Sequence, residues 1–120
     1  MIHHVSVEVS DLERSGLFYH AVTGALGWRR HVEDDGRIGW GIVRPVLFAS
    51  TLRTPGASGG HICLASPGIS GVKGAHEAGV EAGGTDEGAP GQRPQYGATY
   101  YSAYLLDPDG NRIEIAVGAH

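Results

Sequence analysis

The chain has 120 residues, 41% hydrophobic and 18% charged, which suits one compact domain with a modest core. A net charge of −4, with a single lysine and scattered arginines, gives no basic stripe for nucleic acid, and no apolar run approaches a membrane span. One cysteine, Cys63, excludes an internal disulfide and fits a reducing compartment, and "MIHHVSVEVSD" has neither the basic segment nor the apolar run of a signal peptide, so a cytoplasmic protein is expected.

The first segment, "IHHVSVEVS", alternates strictly. Val5, Val7 and Val9 share one face and His4, Ser6 and Glu8 the other, as in a half-buried strand. Next, Leu12, Ser15, Tyr19, Val22 and Leu26 recur at helical steps, with Ser10 and Glu13 as a capping box and an end near Gly24 or Gly27. "WRRHVED", "RIGWGIV" and "VLFAST" then read as three short strands, separated by Asp35-Gly36 and by Arg44-Pro45.

After "RTPGASGG" comes a second alternating strand, "HICLAS", with Ile62 and Leu64 opposite His61 and Cys63. "PGISGVKGAHEAGVEAGG" predicts a helix through Ile69, Val72, His76 and Val80, interrupted by glycines. "TDEGAPGQRPQYGA" reads as a weak strand and a long loop. "TYYSAYLL" and "RIEIAV" close the chain as strands joined by an Asp-Pro-Asp-Gly turn.

The order is therefore β-α-β-β-β twice, an α+β fold of two units at about 1–52 and 59–117 within one domain, 1–120. His4 and His61 open the two units at an offset of 57 residues (61 − 4 = 57). Each sheet is expected to pack its helix on one face and turn the other toward a shared hollow. Parity then sorts the side chains. His4, Ser6 and Glu8 face the hollow from the first strand, and His61, Cys63 and Ala65 from its counterpart. Arg112, Glu114 and Ala116 face it from the last strand, and Tyr100, Ser102 and Tyr104 from the one before. A carboxylate inside an apolar strand must meet water, a cation or a metal, because burying it unpaired costs several kcal/mol or more. His4, His61 and Glu114 converge as candidate metal ligands; His3 is an equally placed alternative to His4, and an ion pair with Arg112 is the alternative for Glu114.

"HVSVEVSDLERSGLFY", "GGHICLA" and "LLDPDGNRIEI", in that order and over nearly the whole chain, resemble the vicinal oxygen chelate superfamily, which includes glyoxalases, bleomycin-resistance proteins and extradiol dioxygenases. The resemblance implies a concave mixed sheet with helices on its outer face. It also implies a divalent metal (Fe2+, Zn2+, Ni2+ or Mn2+) that chelates two neighbouring oxygens of a small substrate, carried here by His4, His61 and Glu114. "VLFAST" lacks the acid that glyoxalase-type members take from the last strand of the first unit, which speaks against glyoxalase I itself. Two histidines and one carboxylate fit a facial triad for Fe(II). Tyr104, ten residues before Glu114 and followed by Asp107-Pro108-Asp109-Gly110, matches the catalytic tyrosine of ring-cleaving members, although "QYGAT" lacks their nearby histidine.

The expectation is a metal-dependent lyase, isomerase or dioxygenase, dimeric, in which Tyr104 donates a hydrogen bond to a developing oxyanion. The rival is a metal-free protein that sequesters a drug, as bleomycin-resistance members do, in an aromatic-lined cleft. The run 56–60 fits G-x-S-x-G, but a strand follows it where a hydrolase needs a helix.

Overall fold

The computed structural model describes residues 2–55 and 60–119, so most of the G-x-S-x-G run lies outside the described residues. The first unit comprises β1 (Val5–Glu8), α1 (Leu12–Ala25), β2 (Arg29–Glu33), β3 (Arg37–Gly41) and β4 (Leu47–Ser50). The second comprises β5 (His61–Ala65), α2 (Ile69–Glu81), β6 (Thr85–Gln92), β7 (Tyr101–Leu106) and β8 (Arg112–Val117). The sheets have the same topology, β1-β4-β3-β2 and β5-β8-β7-β6, each with one parallel pair next to the crossover helix and antiparallel pairs beyond it.

The 57-residue offset persists in detail. The N-cap residues are Asp11 and Gly68, and Val9 N–H donates to the Ser50 carbonyl as Ser66 N–H donates to that of Ala116. One core serves both units. Val7, Val9, Leu47 and Ala49 from the first sheet, and Leu64, Leu105, Ile113 and Ile115 from the second, pack against Phe18, Tyr19, Val22 and Val72 of the two helices. Alternation in the strands therefore places the apolar face as the sequence pattern predicts, and the helices lie together on that side.

Two local expectations shift. The cap of α1 is Asp11, whose carboxylate accepts the Arg14 N–H at 3.0 Å, whereas Ser10 turns outward to Asp109. The inner face of α2 is Val72, Ala75 and Gly79; Ile69 and Val80 are exposed and His76 hydrogen-bonds Asp86. Gly79 is buried because α2 crosses α1 and β7 closely there: a Cβ would lie 2.6 Å from Leu105 Cδ1 and 2.8 Å from Val22 Cγ2.

The Asp-Pro-Asp-Gly turn does more than reverse the chain. Asp107 Oδ1 accepts the Asp109 and Asn111 amides, and its Oδ2 accepts the Tyr19 hydroxyl at 2.6 Å. Asp109 accepts the Ser10 hydroxyl at 2.6 Å and the Ser15 hydroxyl at 3.3 Å. The two most distinctive motifs of the sequence thus clasp one another, fastening the β7–β8 turn to the start of α1. Burial, then the Asp107 carboxylate beside it, raises the Tyr19 phenol well above its ordinary range and keeps it a donor.

Candidate functional site

In the second sheet β8 runs between β5 and β7, and its register sets Glu114 directly beside Cys63 on one side and Tyr104 on the other. Ile113 and Ile115 point to the core, so Glu114 is forced to the opposite face. His61 joins from the start of β5, and the connection before β7 supplies Tyr96 and Tyr100. These six side chains line a pocket of about 250 Å³.

The centre of the pocket is a buried carboxylate. Glu114 Oε1 accepts a hydrogen bond from His61 Nε2 at 2.9 Å, and Oε2 accepts the Tyr100 hydroxyl at 2.6 Å. Burial alone would raise the Glu114 carboxyl, but hydrogen bonds from Tyr100, His61 and Tyr104 outweigh it and hold it below its ordinary 4.5. The charge acts back on its neighbours. Burial, and then Glu114, pushes the Cys63 thiol up to about 11 and raises the phenols of Tyr100 and Tyr104. Cys63 therefore stays a neutral thiol and the tyrosines stay donors at neutral pH.

Arg112 does not pair with Glu114, the alternative that strand parity allowed. Its guanidinium instead lies over the Tyr104 ring, 4.3 Å from the centroid, while the His61 ring meets the same tyrosine edge-on at 5.8 Å.

His4 is elsewhere. With His3, Arg37, Arg44 and Phe48 it lines a separate pocket in the first unit, its ring edge-on to Phe48 at 5.5 Å. Among the described residues, no three His, Cys, Asp or Glu side chains are grouped so as to hold a metal ion. The expected divalent centre at His4, His61 and Glu114 is therefore corrected, and with it the metal-dependent lyase, isomerase or Fe(II) dioxygenase built on it. The physical reason is that Glu114 and His61 spend their facing atoms on each other and on Tyr100, while His4 sits in the other half of the face.

Sequence reasoning brought His61, Glu114, Cys63, Tyr100 and Tyr104 to one face, and the structure does so too. It missed Tyr96, which lies in a stretch read only as loop. The available signal was its spacing of four residues from Tyr100, whose ring it meets at a centroid distance of 5.6 Å.

Residues 4–116 match the model of a family described as the glyoxalase-like domain. The chain is 33% identical to a glyoxalase/bleomycin resistance protein from Albidiferax ferrireducens T118, covering 95% of both chains with a TM-score of 0.83. A glyoxalase-related enzyme from Fulvimarina pelagi is 22% identical, covering 98% of this chain and 88% of that one, with a TM-score of 0.78. A lactoylglutathione lyase from Agrobacterium tumefaciens is 20% identical, covering 98% and 93%, with a TM-score of 0.70. The last two show likeness of fold alone. No curated protein matches the chain.

Proposed function

Because the chain belongs to the glyoxalase-like domain family, we propose that it serves as a metal-independent small-molecule-binding protein, of the kind that sequesters a drug. The observation that carries this reading is the second-unit pocket, in which three tyrosines surround a carboxylate already satisfied by His61 and Tyr100. Its polar centre is fixed before any ligand arrives. What remains to offer are aromatic faces and phenol edges, which bind planar or cationic groups by stacking at little conformational cost. The 33% identical relative, a glyoxalase/bleomycin resistance protein, supports the same direction.

In this reading Tyr104 contacts the ligand and His61 and Glu114 position the phenols. A pocket of about 250 Å³ is below the ~300–1,000 Å³ of ordinary ligand sites, so a homodimer whose second copy extends the wall is part of the proposal. The exposed Ile42, Val43 and Leu52 give such a contact apolar surface. No helix among the described residues is long and apolar enough to cross a membrane, and the free thiol of Cys63 suits a reducing cytoplasm.

Metal-free bleomycin is the probe. Calorimetry in the presence of a chelator should show saturable binding, weakened roughly tenfold in Tyr104→Ala, the loss of about one aromatic stacking contact. Absence of binding, or binding that appears only with added divalent metal, would overturn the reading. Light scattering at micromolar concentration checks the dimer.

A further inference from the structure

We propose that the first unit carries a second small-molecule site, one that recognises an organic anion: a carboxylate or phosphate borne on an aromatic or aliphatic group. This goes beyond the binding role assigned to the tyrosine pocket and does not depend on it.

The inference begins with the repeat. In the second unit Glu114 lies beside Cys63 and Tyr104; in the first, Phe48 lies beside Ser6 and Gly39 in the same registers. His4 corresponds to His61. The backbone frame is thus duplicated, but the acid is replaced by a phenyl ring and the tyrosine by glycine. Gly39 is required there, because a Cβ would lie 2.7 Å from Phe48 Cε1 and 3.1 Å from Pro45 Cβ. Phe48 consequently lies over Gly39 and lines a pocket of about 250 Å³.

The walls reverse the charge of the other half. Arg37 stacks over Phe48, its guanidinium carbon 5.4 Å from the ring centroid, and among the described residues its carboxylate partner is the exposed Asp34 at 3.4 Å. Arg44 donates to two carbonyl oxygens, those of His3 at 2.9 Å and Pro45 at 3.4 Å, and among the described residues no carboxylate pairs with it. His3 and His4 complete the rim, their Nδ1 atoms 2.9 Å apart, and the Ser6 hydroxyl lies within. Glu8, the nearest acid on β1, lines an adjoining hollow, where its carboxylate accepts the Arg53 amide at 3.0 Å. Two guanidinium groups beside an apolar ring match an oxyanion attached to a hydrophobic body. Arginine binds such a group bidentately, and the ring takes the attached hydrocarbon.

The test uses benzoate and phenyl phosphate followed by proton NMR of the histidine rings. Saturable shifts at His3 and His4, with His61 unmoved, are expected. The exposed double variant Arg37→Gln/Arg44→Gln should weaken binding at least tenfold, while Arg29→Gln, which removes an exposed arginine on β2, should leave it within twofold. Tighter binding of one probe identifies the preferred headgroup, and either supports the site. Shifts centred on His61, equal weakening by Arg29→Gln, or no saturation with either probe would overturn the proposal. Because the tyrosine pocket is read at His61 and with bleomycin, failure of one site is distinguishable from failure of the other.

Discussion

Glu114 is itself buried and accepts hydrogen bonds at both carboxylate oxygens, so its ionised form is the one the fold favours. Its folded pKa is depressed below 4.5; the stabilisation is therefore fully present above the unfolded pKa and is lost as pH falls through the folded value. Urea unfolding at pH 7 and at successively lower pH should show that loss in the native chain and a flatter profile in Glu114→Gln. At pH 7 that variant should be less stable by about 1–3 kcal/mol, since the imidazole and the phenol address two different oxygens and an amide puts an NH2 donor in place of one of them. Burial, and after it the same charge, suppresses the Cys63 thiolate. A thiol raised from 9.0 to about 11 holds roughly a hundredfold less thiolate at neutral pH. Alkylation by iodoacetamide should accordingly be slow in the native chain and about tenfold faster in Glu114→Gln. Parity alone put Glu114 on this face. Parity put His61 and Tyr100 on it as well; what it could not supply was that these two would take up both carboxylate oxygens, because a face assignment carries no distances.

Helix α2 separates two kinds of glycine. Gly74 has open space where a Cβ would project, whereas Gly79 meets Leu105 and Val22, both fully buried. Gly74→Ala should stabilise the protein by about 0.5–1 kcal/mol through helix propensity alone. Gly79→Ala gains the same term but overpacks the crossing, at a cost of about 1–3 kcal/mol, so a net loss of about 1 kcal/mol is expected. Paired denaturant curves check both signs. This crossing also explains why the apolar pattern of α2 gives its inner face only in part. A hydrophobic pattern gives glycine no weight, so of Ile69, Val72, His76 and Val80 only Val72 lies on the inner face, and the tightest contact belongs to a residue with no side chain. The strands were legible because alternating valine and isoleucine leave only one way for them to face the core, as at Ile113 and Ile115.

At the scale of the whole chain, the repeated element order and the His4–His61 offset anticipated the paired topology. They did not reveal that the two halves of the face differ in chemistry. Equivalent positions carry Glu114 and Phe48, and residues brought to one face by topology need not meet at one point. The two conspicuous motifs proved to be largely structural, since Ser10, Ser15 and Tyr19 bind the Asp107–Asn111 turn. Asp107→Ala should therefore destabilise the protein by about 1–3 kcal/mol, because it strands the buried Tyr19 hydroxyl and the turn amides. Thermal unfolding followed by circular dichroism measures it.

The clasp also sets an order of events. Its partners are 88 and 99 residues apart in sequence, so it joins the two halves of the chain, each of which has its own sheet and helix. Closing so long a loop is entropically late, and contacts of that kind are largely absent from a folding transition state. The clasp then acts as a latch on the way out. In a chevron plot Asp107→Ala should leave the refolding limb almost unchanged and raise the unfolding limb, shortening the lifetime of the native state.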